Sequence, residues 1–175
     1  NTSGARNTAS GGSALFSNTT AANNTAVGYQ SGYYNSTGTS NVFIGGHDAG
    51  GFAAGLYNTT GSYNTMVGAG ALKSNTTADA NTALGYQAAY SQTTGALYTV
   101  AVGYLGFQAL TANTAGSNNN AFGSFSLANS TTGNFNTAFG DQSLRSNTTG
   151  AYNVAVGTQA LQANTSASNN TALGF

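Results

Sequence analysis

One five-residue phrase recurs along the whole chain. Asn24-Thr25-Ala26-Val27-Gly28 returns as Asn41-Val42-Phe43-Ile44-Gly45, as Asn64-Thr65-Met66-Val67-Gly68, and finally as Asn170-Thr171-Ala172-Leu173-Gly174. Its closing glycine stands at Gly11, Gly28, Gly45, Gly68, Gly85, Gly103, Gly123, Gly140, Gly157 and Gly174, with intervals of 17, 17, 23, 17, 18, 20, 17, 17 and 17 residues by subtraction. A short period held from end to end is the mark of a solenoid, in which each unit packs on its neighbours. Such a chain is built by stacking, and a dedicated catalytic pocket is not expected.

The full unit approximates N-T-A-V-G-Y-Q-A-L-x-S-N-T-T-G-x-Y, and its first part reads as a strand. Val27, Ile44, Val67, Leu84, Val102, Phe122, Phe139, Val156 and Leu173 precede the glycine. The position before them is mostly Ala, with Phe43 and Met66 as exceptions. Adjacent strand residues point to opposite faces, so both faces are apolar. A thin coil has room inside for one such row. The other row must be covered, most economically by another copy of the chain, because left bare it forms an apolar stripe larger than a soluble monomer usually shows. The row before the glycine is therefore either core or inter-chain surface, and the pattern alone leaves open which row points inward.

After the glycine, stretches such as Tyr29-Gln30-Ser31 and Thr158-Gln159-Ala160-Leu161 read as a second short extended segment, with Leu15, Leu72, Leu110, Leu127, Leu144 and Leu161 as anchors into the core. Asn35-Ser36-Thr37-Gly38, Asn58-Thr59-Thr60-Gly61 and Asn147-Thr148-Thr149-Gly150 carry turn chemistry. Proline, which would interrupt a stacked ladder, is absent. Asn24, Asn41, Asn64, Asn81, Asn136, Asn153 and Asn170 sit four residues before the glycine, as do Asn7 and Asn119. Stacked at about 4.8 Å, these amides should bond to one another. With Gly28, Gly45, Gly68, Gly85, Gly140 and Gly157 they form the expected structural ladder. The many Asn-x-Ser/Thr sequons, at Asn18, Asn35, Asn58, Asn75 and Asn147 among others, fall out of the repeat and read first as turn residues.

Composition narrows the function. Only 3% of the residues are charged and the formal net charge is zero, which argues against nucleic acid or an anionic membrane as a partner. No window is apolar enough for a membrane-spanning helix. No catalytic, cofactor or metal residues are expected: a single histidine and three acids supply neither a triad, nor a carboxylate pair, nor a metal site. The glycines lack the Gly-Lys-Ser/Thr of a phosphate loop. Interest falls instead where the register slips. The longest interval gains six residues within residues 46–55, which carry His47, Asp48 and Phe52 with Tyr57 close by; two smaller insertions lie near residues 96–98 and 103–106. Insertions in solenoids emerge as loops, often on a binding face. Around the first one, Tyr33, Tyr34, Tyr57 and Phe52 could stack on sugars.

The phrase N-T-A-V-G-Y-Q-A-L with N-T-T-G resembles the head repeats of trimeric autotransporter adhesins and, more closely, repeat arrays of phage tail fibres; Asn153-Val154-Ala155-Val156-Gly157 is the nearest single match. The resemblance runs from Asn7 to Phe175, although this repeat is longer than that of the adhesin heads. It implies a left-handed parallel β-roll that trimerises along its length at a cell or virion surface. The expectation is thus an all-β, parallel β-solenoid of about ten 17-residue coils over residues 1–175, a stretch of a longer fibrous protein. It would be extracellular and homo-oligomeric, most economically a trimer, with a glycan or cell-surface receptor as partner. A passive filament subunit without a ligand is the alternative, and a water- or ice-organising surface a more remote one.

Overall fold

The computed structural model describes residues 3–95, 97–104 and 116–175. Ten three-residue strands follow in chain order: β1 (Thr8–Ser10), β2 (Thr25–Val27), β3 (Val42–Ile44), β4 (Thr65–Val67), β5 (Thr82–Leu84), β6 (Val100–Val102), β7 (Asn120–Phe122), β8 (Thr137–Phe139), β9 (Val154–Val156) and β10 (Thr171–Leu173). All pair in parallel with their sequence neighbours, in one sheet ordered β1 to β10. The register matches repeat to repeat, as in Ala26↔Phe43, Phe43↔Met66 and Met66↔Ala83. The fold is a parallel β-solenoid of about nine turns.

Among the described residues each coil has one strand, not two extended segments. After the glycine the chain turns at residues of positive φ: Gln30, Gln87, Gln142 and Gln159 lie at +53° to +59°, and Leu15, Leu72, Leu127, Leu144 and Leu161 at +46° to +52°. Left-handed backbone ends a strand, so the expected second segment is a pair of tight corners. The leucines still do what the sequence suggests: Leu72, Leu127 and Leu144 are fully buried.

The anchor glycines are required twice over. Gly140 has φ +136°, and a Cβ there would lie 2.5 Å from the Gly157 carbonyl oxygen of the next coil. Gly68 repeats this against Gly85. Only glycine allows both that backbone conformation and that approach.

The inward row is the small one. Ala26, Phe43, Met66, Ala83, Ala101, Ala121, Ala138 and Ala155, each at the centre of its strand, are fully buried. The coil is so thin that a strand side chain meets the opposite wall, where the leucines fill most of the volume. Phe43 and Met66 fit only because that wall gives way to glycine. A Cβ on Gly32 would lie 2.8 Å from the Phe43 ring, and one on Gly55 2.5 Å from the Met66 sulfur. Interior volume is conserved by exchanging size between walls, as close packing demands.

Two asparagine columns close the turns. In the first, each side-chain oxygen accepts from the next asparagine's backbone N–H: Asn24 from Asn41 at 2.9 Å, Asn41 from Asn64 at 2.9 Å, and Asn64 from Asn81 at 2.9 Å. The second column, from the N-T-T-G turns, bonds amide to amide, Asn58 to Asn35 at 2.8 Å and Asn75 to Asn58 at 2.7 Å. The columns converge on one carbonyl per coil. Gly38 O accepts Nδ2 of both Asn24 and Asn35, Gly61 O those of Asn41 and Asn58, and Gly150 O those of Asn136 and Asn147. Asn18, Asn35, Asn58, Asn75 and Asn147 are buried, so these sequon amides serve the interior and are closed to glycosylation in the folded chain.

The second column lapses at Ser130, whose buried hydroxyl has no hydrogen-bond partner. Asn147 and Asn164, the equivalents in the next coils, donate to the carbonyl three residues on at 2.9 and 3.0 Å. Ser130→Asn would place an amide within reach of Gly133 O and Asn147 Nδ2. Satisfying a buried polar group this way is worth about 1–2 kcal/mol. The expected result is a rise of several degrees in the melting midpoint at fixed protein concentration; an unchanged or lowered midpoint means that the column cannot be completed at this coil.

Candidate functional site

Two surfaces emerge from this architecture. The first is the outward face of the sheet. Val27, Ile44, Leu84, Phe139 and Leu173 are exposed, and Val67, Val102, Phe122 and Val156 half-buried. They form an unbroken apolar row over nine strands, about 40 Å long at the strand spacing. Phe122 and Phe139 lie ring to ring at 5.5 Å. Thr25, Thr65, Thr82 and Thr137 flank the row on the same face, two residues earlier in their strands. The residues before the glycines are therefore not core of their own coil, and the Ala row is.

The second surface surrounds the insertion at residues 46–55. The extra residues leave the stack after His47, whose N–H still donates to Tyr29 O at 3.2 Å, and the chain rejoins it where the Ala54 N–H donates to Gly45 O at 2.9 Å. Asp48 pins the loop: its Oδ1 accepts from the Gly50 and Phe52 amides at 2.9 and 3.0 Å. Desolvation pushes the Asp48 carboxyl up, but hydrogen bonds from the Tyr86 hydroxyl and those amides outweigh it and hold the group below the ordinary Asp value. The same Asp48 hydrogen bond, with desolvation, holds the Tyr86 phenol above its usual value.

Phe52 lies over the end of Lys73, with Nζ 3.9 Å from the ring centre; the ammonium also donates to the Tyr90 hydroxyl at 2.8 Å. This cation–π contact clamps the loop to the next coils. His47 is exposed at the loop's base, edge-on to Tyr29 at 5.2 Å. Among the described residues no group of three or more His, Cys, Asp or Glu stands together to hold a metal ion.

Tyr33, Tyr34 and Tyr57 belong to a run of rings. Phe16 stacks on Tyr33 at 5.0 Å, Tyr33 meets Tyr34 edge-on at 4.7 Å, and Tyr34 stacks on Tyr57 at 5.5 Å and 15°. Two hollows border the run. One, of about 270 Å³, is lined by Gln30, Tyr33, Tyr34, His47, Gly51, Leu56 and Tyr57; the other, of about 380 Å³, by Tyr34, Tyr57, Thr59, Ser74 and Thr76. The four residues expected to form a binding loop thus divide. His47 and Tyr57 line a common hollow, whereas Asp48 and Phe52 hold the loop in place. The role of Lys73 as a clamp escapes sequence reading because only its distance to Phe52 reveals it. The insertion at residues 103–106 lies largely outside the described residues, as does Leu110.

No helix among the described residues is long and apolar enough to cross a membrane. Compared with protein-family models, curated proteins and solved structures, the chain matches none. Its class is therefore defined by its own geometry, a parallel β-solenoid with one apolar wall turned outward.

Proposed function

We propose that this chain is an extracellular fibrous module, a stiff rod that packs against copies of itself along the outward sheet face and presents its insertion loops for adhesion to glycans. The observation that carries the reading is the unbroken apolar row from Val27 to Leu173. A row of that length left in water is costly, at about 25 cal/mol per Å² of apolar surface. Copies of the same rod offer the same row at the same spacing, so parallel association covers it without new design. A three-fold arrangement lets every copy bury its row around one axis, and it agrees with the resemblance to adhesin heads and tail fibres.

A water-ordering face would need a uniform row to match a lattice. Here the side chains run Val, Ile, Val, Leu, Val, Phe, Phe, Val, Leu, a variation that suits packing against protein. The passive filament subunit shares the oligomer and differs only in lacking a ligand.

Light scattering coupled to size-exclusion chromatography tests the reading. The chain should elute as a homo-oligomer with the mass of three copies, and Leu84→Lys combined with Phe139→Lys should dissociate it while leaving each coil folded, because both side chains point away from the core. A monodisperse monomer of the unaltered chain at micromolar concentration would overturn the proposal.

A further inference from the structure

The geometry points to the gap between Tyr63 and Tyr98 as a site for a quaternary ammonium group. Strand pairing aligns Thr65 with Thr82 and Thr82 with Val100. The residues two places earlier, Tyr63, Ala80 and Tyr98, therefore share one position in three successive coils. Their backbones agree, with φ +60°, +56° and +55°. The bonds between coils repeat as well: Tyr63 N–H donates to Thr39 O and Ala80 N–H to Ser62 O, both at 3.0 Å. Further along the same column, Phe135 and Tyr152 occupy adjacent coils and lie parallel, 6° apart, with ring centres at 5.0 Å. A ring at this position thus stacks on its neighbour where the next coil supplies one. At Ala80 the middle ring is missing.

Two coils separate Tyr63 from Tyr98, about 9.6 Å at the strand spacing. Both rings are largely open to water, at 66% and 61% exposure, and Ala80 between them contributes only a methyl group. A cation midway lies about 5 Å from either ring, inside the range of about 6 Å over which an aromatic face attracts it. A trimethylammonium group is nearly spherical and meets both faces at that distance. Charge decides between such a group and a neutral one. Asp79 stands next to Ala80, and its Oδ1 accepts from the Ser62 N–H at 2.7 Å, which holds the carboxylate beside the Tyr63 backbone. Asp79 is exposed. Lys73, the nearest cation along the chain, is engaged by the Phe52 ring and the Tyr90 hydroxyl. The gap offers two π faces and one negative charge, the elements from which ammonium cages are made.

The test titrates choline chloride into the full chain, followed by NMR at fixed ionic strength. The comparison ligand is the uncharged isostere of choline, in which a tert-butyl group replaces the trimethylammonium. Choline should bind at least tenfold more tightly than the isostere. Ala80→Tyr supplies the missing ring; it should keep the melting midpoint at or above that of the unaltered chain and weaken choline binding at least tenfold. Tyr98→Ala should weaken it by a similar factor, which keeps the test decisive if Ala80→Tyr fails to fold. Asp79→Asn should weaken it severalfold and remove most of its dependence on salt. Tyr152→Ala, at an exposed ring stacked on Phe135, should leave it unchanged. Choline binding that survives both Ala80→Tyr and Tyr98→Ala overturns the site, as does a chain that binds no choline. An isostere that binds as well as choline overturns the ammonium assignment.

Discussion

Phe43→Ala should destabilise the chain by about 3–5 kcal/mol, the cost of emptying a close-packed aromatic site, and Gly32→Leu should restore most of that loss when the two are combined. The reasoning comes from the exchange of volume across the coil. Phe43 is fully buried, and a Cβ on Gly32 would meet its ring at 2.8 and 3.0 Å. Gly32→Leu alone is therefore overpacked and should itself cost about 1–3 kcal/mol or more. Together the two substitutions rebuild the pairing found elsewhere, where Leu144 fills the interior beside Ala138 and Ala155. The backbone is already suitable, with φ +60° at Gly32 against +46° at Leu72 and +50° at Leu144. Denaturant titration of the two single variants and the double variant, at one fixed concentration, measures the coupling. A double variant no more stable than the sum of its parts would show that the walls do not compensate.

Asn136→Ala should cost a similar amount, about 3–5 kcal/mol, although it removes far less volume than Phe43→Ala does. Asn136 is fully buried and makes four side-chain hydrogen bonds. It donates to Asn119 Oδ1 at 3.1 Å and to Gly150 O at 2.9 Å, and accepts from the backbone and side-chain N–H groups of Asn153, both at 3.1 Å. Truncation strips a partner from a buried backbone N–H and opens the amide column on both sides, and each buried group left unsatisfied costs about 1–3 kcal/mol. Hydrogen exchange should locate the damage in the coils carrying Asn119, Asn136 and Asn153. Asn136→Asp separates charge from shape. Burial raises the folded-state pKa of the introduced acid above its unfolded value, so the penalty should be small below about pH 4 and grow as pH rises. A pH-independent loss would mean that the site is wetter than its burial implies.

Much of this was legible in the sequence because the constraints that make a coil are local and repeated. The period, the anchor glycines and the first asparagine column can be read by alignment of the chain with itself. The strand length could not be read in that way. Gln142 and Leu144 adopt left-handed φ, which neither residue type favours, so nothing in their chemistry announces a corner. The direction of the two apolar rows was hidden for a different reason. Size suggests that valine and phenylalanine go inside, but the interior is shared with leucines from the opposite wall, and only Ala-sized strand residues leave room for them. Of the candidate site, the insertion and its aromatic residues could be found from the broken interval, whereas the clamp of Lys73 on Phe52 could not, because it depends on a distance between coils.

The rejoining of the chain at Gly45 and Ala54 separates two kinds of growth. An added segment of 17 residues supplies a new strand, a new glycine and a new pair of asparagines, and so lengthens the rod by one step of about 4.8 Å. An added segment of six residues supplies none of these and changes only the outline. Length and ornament are thus written independently. A lineage can extend such a rod by duplicating whole repeats, and can vary what it touches by editing a single seam, without either change disturbing the other.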